Sequence, residues 1–138
     1  MFILLIIRNT THMNKEIPQI LIVDDVPANL FALKAVLGNL EEKINIIQAG
    51  SGNEALEKII EHDFALVLLD AHMPEMDGFE VAEQINSHET LRHIPIIFVT
   101  AAYKDKAHRF KGYQAGAVDY LQKPIEEDIL LAKVKTFI

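Results

Sequence analysis

The sequence predicts an α/β fold, a doubly wound, five-stranded parallel sheet with five helices spread over its two faces. Three observations lead there. From Ile17 onward, short apolar runs alternate with amphipathic stretches five times. Three of the runs are continuously apolar, as expected of parallel strands covered on both sides. A chain of 138 residues is also too short for an eight-stranded barrel and suits one domain.

The first strand is expected at residues 19–23 (QILIV), and the first helix follows from Leu30, Leu33, Leu37 and Leu40 at helical spacing. A second strand at 44–48 (INIIQ) precedes a helix carrying Leu56, Ile59 and Ile60 on its inward face. The third strand, 65–69 (ALVLL), leads to a helix at 78–87 with Val81, Ala82 and Ile85 inward. Pro74 stiffens the loop between them, and Asp77 with Gly78 forms the turn that starts the helix. The fourth strand is 96–99 (IIFV). Its helix, 106–115, has only Ala107, Phe110 and a few small or aromatic residues to bury, which marks it as the mobile element. The fifth strand, 117–121 (AVDYL), leads into a last helix from about Glu126, with Leu130, Val134 and Phe137 inward.

Half the residues are hydrophobic and 24% are charged, a balance that buries a core rather than leaving a disordered chain. With 13 basic and 20 acidic residues the net charge is −7, so the surface field opposes polyanions and no direct nucleic-acid partner is expected. The absence of cysteine excludes a disulfide framework, a thiolate metal site and a cysteine nucleophile, and it suits a cytoplasmic location. The apolar run at 2–7 (FILLII) falls well short of the about 20 residues of a membrane span. It also lacks the basic start and small-residue cleavage site of a signal peptide. Residues 1–16 are therefore expected to be a leader and linker, with Met13 as an alternative start, ahead of a domain at 17–138.

In a doubly wound sheet, ligands bind at the carboxyl ends of the strands. The residues that follow the strands here are Asp24 and Asp25, then Asp70, then Thr100 with Ala101, then Lys123 with Pro124. Each has a plain reading when taken singly. An Asp after a strand is a turn former or helix cap, Thr100 is a β-branched strand end, and Lys123 is a solvated lysine. Together they gather three carboxylates at one edge, which repel one another and call for a counter-charge. Mg²⁺ supplies it, being an oxygen-preferring cation that shares its shell with water and phosphate oxygens. A carboxylate placed there can act as a nucleophile and form an aspartyl phosphate, while Lys123 neutralises charge on the transferring group. The Thr100 hydroxyl is a donor for one phosphoryl oxygen, and Ala101 is small enough to let a backbone N–H approach the same group.

Four separated stretches, in order, resemble the receiver domain of two-component response regulators: Val23-Asp24-Asp25, Leu69-Asp70-Ala71-His72-Met73-Pro74-Glu75-Met76-Asp77-Gly78, Thr100-Ala101, and Tyr120-Leu121-Gln122-Lys123-Pro124. The resemblance covers residues 17–138 and implies a flavodoxin-like strand order, 2-1-3-4-5. It implies that Asp70 accepts a phosphoryl group from a phosphohistidine of a sensor histidine kinase or histidine phosphotransfer protein. The domain would itself catalyse this Mg²⁺-dependent step and the later dephosphorylation, without being an enzyme in the usual sense. Asp25, Asp70 and the backbone carbonyl of His72 would bind Mg²⁺ directly, with Asp24 helping through water. Thr100 and Lys123 would contact the phosphoryl group, Tyr120 would be an aromatic switch that follows Thr100, and the Lys123–Pro124 peptide would be cis.

Phosphorylation would then favour a conformation that already exists as a minor state and change the face formed by the fourth helix, fifth strand and fifth helix. On that face the last helix carries Ile129, Leu130, Leu131, Val134, Phe137 and Ile138, a broader apolar stripe than one packing face needs. Two readings are open: contact with a partner or a second copy of the chain, or the end of a helix cut short. The stop at Ile138 suggests a receiver excised from a longer polypeptide, and residues 116–120 and 134–138 look similar to receivers placed ahead of sensor kinase or diguanylate cyclase modules.

Two other functions are distinguishable. A pseudo-receiver that only docks partners would lack a pocket residue, whereas Asp24, Asp25, Asp70, Thr100 and Lys123 are all in place. A metal-dependent phosphatase would carry an Asp-x-Asp pair after the first strand, and this chain has Asp24-Asp25 instead. The His72 imidazole either tunes access of water to Asp70 or is a solvent-facing loop residue. His88 and His93 stand five residues apart, which fails the i, i+4 spacing of a helical zinc site.

Overall fold

Apolar residues that alternate along a strand feed two different cores, and β1 (Gln19–Val23) shows this directly. Ile20 and Ile22 enter one core; Leu21 and Val23 enter the other. The computed structural model describes residues 16–101, 111 and 113–138. After β1 these residues form α1 (Pro27–Leu37), β2 (Asn45–Ala49), α2 (Gly52–Glu61), β3 (Leu66–Asp70), α3 (Gly78–Ser87), β4 (Ile96–Thr100), β5 (Asp119–Gln122) and α4 (Glu127–Lys135). The five strands form one sheet in the order β2-β1-β3-β4-β5, with every neighbouring pair parallel.

On one face, α1 and α4 place Leu30, Leu33, Leu37, Leu130 and Val134 over Ile20, Ile22, Leu66, Leu68, Ile97, Val99 and Leu121. On the other, α2 and α3 place Ala55, Ile59, Phe79, Val81, Ala82 and Ile85 over Leu21, Val23, Val67, Leu69, Phe98 and Tyr120. Both faces of the central strands are therefore dry, which is why β3 and β4 read as unbroken apolar runs.

Several expectations are corrected. Among the described residues there are four helices, not five. The helix expected at 106–115, and with it the mobility expected there, falls largely outside the described residues; Lys111, Tyr113 and Gln114 have helical backbone. The leader at 1–16 lies outside them too, apart from Glu16. In α2, Ile59 is buried but Ile60 is 79% exposed, because adjacent helical residues point about 100° apart and Ala55 and Ile59 already fill the inward face. Leu40 lies beyond the end of α1, where Gly38 caps the helix.

Strands β3 and β4 each run one residue further than their apolar runs, because the parallel ladder continues through Asp70↔Val99 and Thr100↔Gln122. The last strand begins at Asp119 rather than residue 117, because the ladder with β4 starts at Ile97↔Asp119, and Ala117 is buried ahead of it. The broad apolar stripe of the last helix is mostly core. Leu130 and Val134 are fully buried, Phe137 and Ile138 pack against the same cluster, and Ile129 is left 44% exposed.

Candidate functional site

The carboxyl ends of β1, β3, β4 and β5 lie along one edge of the sheet, so residues far apart in sequence meet there. Asp24 follows β1 directly and is 5% exposed; Asp25 beside it is half-buried; Asp70 ends β3 and is 7% exposed. Each of the three offers a carboxylate oxygen within 4.8 Å of the others'. Lys123, just past β5, supplies the one cation in contact with the cluster among the described residues. Its Nζ lies 2.9 Å from Asp24 Oδ2 and 3.6 Å from Asp70 Oδ1.

Burial is the largest influence on Asp70 and raises its pKa above the ordinary 3.8. The Lys123 charge opposes that rise, Asp24 adds to it, a backbone hydrogen bond from His72 opposes it, and Asp25 adds to it. The buried carboxylate is therefore short of positive charge despite Lys123. Three carboxylates with no nitrogen or sulfur ligand among them form an oxygen donor set that suits a hard divalent cation.

Local structure sets the path of the chain that leaves Asp70. The N-terminal end of α3 is pressed against the chain leaving β3, where the Gly78 N–H donates to the Ala71 carbonyl at 3.0 Å. A Cβ on residue 78 would come within 2.1 Å of the Asp70 carbonyl oxygen, so no side chain fits. The Asp77 side chain caps α3 by accepting from the Glu80 N–H at 2.9 Å, as its turn-forming role predicts. Between these, Glu75 adopts a left-handed backbone with φ 68°.

Thr100 ends β4 with 2% exposure, and its carbonyl accepts the Lys123 backbone N–H at 3.1 Å, tying two of the expected site residues together. The alternation of the strand puts Thr100 on the same face as Phe98, which pairs in register with Tyr120. The Tyr120 ring is already buried. It lies 5.5 Å from the Phe98 ring and 5.3 Å from that of Tyr113. Ala101 is exposed beside Thr100, and the Lys123–Pro124 peptide is cis. The His72 side chain is exposed, with its ring 6.2 Å from Phe79. His88 and His93 are exposed and stand apart from the site.

Two contributors were not singled out from sequence. Asn29, in the first turn of α1, donates from Nδ2 to Asp24 Oδ2 at 3.1 Å. Its place five residues after Asp24 gives no local sign of this contact, which forms because the first helical turn folds back toward the strand end. Gly78 was assigned to turn geometry alone, and its contact with the Asp70 backbone has no local signature.

Residues 20–135 match the family model described as the response regulator receiver domain. The chain is 40% identical over 117 residues to a probable cyclic di-GMP phosphodiesterase of Vibrio cholerae; the match covers 85% of this chain and 26% of that protein. This chain thus spans about a quarter of that relative's length. A putative response regulator from Chloroflexus aurantiacus superposes with a TM-score of 0.81 at 31% identity, covering 88% of this chain and 98% of that one. The receiver domain of the Pseudomonas aeruginosa sensor histidine kinase PA1611, whose structure has a magnesium ion coordinated in its active-site cleft, gives 0.79 at 28% identity, covering 88% and 98%.

Proposed function

The chain belongs to the response regulator receiver domain family, and on that premise we propose that Asp70 is a phosphoacceptor in a histidine-to-aspartate relay. The observation that carries this reading is the meeting of Asp24, Asp25 and Asp70 with Lys123 at one sheet edge. An Asp70 oxygen attacks the phosphorus of a phosphohistidine on a sensor kinase or phosphotransfer protein. The P–N bond breaks, the imidazole nitrogen keeps the electron pair, and a P–O bond forms to Asp70. Water later attacks the same phosphorus and returns the free carboxylate and inorganic phosphate.

Asp25, Asp70 and the His72 carbonyl would hold Mg²⁺, with Asp24 acting through water, and the ion would neutralise charge on the phosphoryl oxygens. Lys123 contributes a second positive charge, and the Thr100 hydroxyl and Ala101 N–H donate to the remaining oxygens. As Thr100 moves toward the phosphoryl group, Tyr120 on the same sheet face responds. The readout surface is then β5 with α4, where Tyr120, Ile129 and Lys133 line a groove of about 710 Å³ that a partner or a second copy of the chain would occupy. The relay also places the domain in the cytoplasm, where a phosphorylated kinase domain presents its histidine. Any output activity of a longer polypeptide is a separate question, since a relative's phosphodiesterase name describes a protein about four times the matched length.

The test is addition of beryllofluoride with Mg²⁺ while backbone amide resonances are followed. The expected result is saturable shifts around Asp70 and Thr100 that spread to Tyr120 and α4 and vanish in Asp70→Asn. Absence of any response in the wild type would overturn the reading.

A further inference from the structure

Asp24 is the most heavily bonded acid of the cluster. Its Oδ1 accepts the Val26 N–H at 2.9 Å. Its Oδ2 accepts two donors, Asn29 Nδ2 at 3.1 Å and Lys123 Nζ at 2.9 Å. The 3.6 Å from Lys123 Nζ to Asp70 Oδ1 is an ion-pair separation but too long for a hydrogen bond. The lysine therefore rests on Asp24, and to serve a phosphoryl group on Asp70 it must loosen that bond.

We propose that Asn29 is a positioning residue that keeps Asp24 Oδ2 bonded and in place while Lys123 transfers toward Asp70; the proposal rests on the phosphoacceptor reading above. Asp24 is 5% exposed, so an oxygen that loses its donor there is poorly rescued by bulk water. Asn29 is suited to the task because the first turn of α1 fixes its backbone, with the Asn29 N–H bonded to the Val26 carbonyl at 3.0 Å. Its carboxamide is neutral, so it holds the carboxylate without competing with Lys123 for the phosphoryl charge. The helix does not use this side chain as a cap, since its N-cap position is Val26 and carries no side-chain hydrogen bond. Without Asn29, Lys123 would be the only side chain among the described residues bonded to Asp24 Oδ2, and its departure would leave a buried anion without a side-chain donor from them.

The experiment measures beryllofluoride affinity by fluorine NMR at saturating Mg²⁺ for the wild type, Asn29→Leu, Asn29→Asp and Asn29→Gln, each checked for folding by circular dichroism. Leu keeps the size and removes the donor, and roughly tenfold weaker binding is expected. Asp keeps the shape but turns the donor into a second acceptor facing Asp24, so it is expected to bind more weakly than Leu. Gln restores the amide and is expected to recover most of the affinity. A role in packing alone would give the opposite order, with the same-shaped Asp tolerated best. Wild-type affinity in Asn29→Asp, or Asn29→Gln no better than Asn29→Leu, overturns the proposal; should Leu fail to fold, wild-type affinity in Asp still does so. Failure of the wild type to bind beryllofluoride defeats the phosphoacceptor reading and this inference with it, whereas normal wild-type binding with insensitive variants defeats this inference alone.

Discussion

Charging Asp70 comes at a cost to the fold. Burial raises its pKa above 3.8, so the folded state holds this proton more tightly than the unfolded chain does. Stability contributed by the protonated group is fully present below the ordinary value and is lost as pH rises through the raised one. Asp70→Asn should therefore raise the melting temperature of the metal-free protein at pH 7, and the gain should shrink as pH falls toward 3, as thermal melts across that range would show. Gly78 pulls the other way. Gly78→Ala places a methyl group within 2.1 Å of the Asp70 carbonyl oxygen, and the displaced backbone should cost about 2 kcal/mol or more by denaturant titration. At this scale the carboxylates and Lys123 are legible because each stands at the end of a strand's apolar run or just past it. Asn29 and Gly78 were not, because an Asn in a helix and a Gly after an Asp look ordinary until the folded chain brings them against Asp24 and Asp70.

The four described helices follow from apolar spacing, yet the spacing overstated which residues face inward. Ile60 is grouped with inward residues by its place next to Ile59, and Ile129 belongs to a stripe broader than one packing face; each sits on the open side of a helix whose inner face is already filled. The distinction has an energetic consequence in α4. Leu130→Ala should cost about 2–5 kcal/mol, since Leu130 is fully buried. Ile129→Ser should change stability by no more than about 0.5 kcal/mol. Equal losses in urea titrations of the two variants would show that the outer side of α4 is packed after all. Strand ends were the least legible feature. A parallel ladder can carry a polar residue for one more step at no cost in hydrogen bonding, and it does so at Asp70 and Thr100, the two strand-terminal residues on which the proposed chemistry depends.

Across the whole molecule, the sheet sets the carboxylate cluster apart from the aromatic residues of the proposed switch while keeping them connected. Asp24, Asp25, Asp70 and Lys123 gather at its carboxyl edge, whereas Phe98 and Tyr120 lie on the face covered by α2 and α3. Thr100 belongs to both, by position at the edge and by alternation on the Phe98 face. The surplus of seven negative charges has one concentrated expression in this cluster, and a divalent cation held there would favour the folded state. Mg²⁺ at about 100 times its dissociation constant should stabilise the protein by about 2.7 kcal/mol, and Asp25→Asn should remove most of that gain in thermal melts. The most direct measurement of the central claim is intact-mass and peptide-mapping analysis after incubation with acetyl phosphate. One added phosphoryl group on Asp70, dependent on Mg²⁺ and absent from Asp70→Asn, is the predicted result; no added group in the wild type, or one that persists in Asp70→Asn, would contradict it.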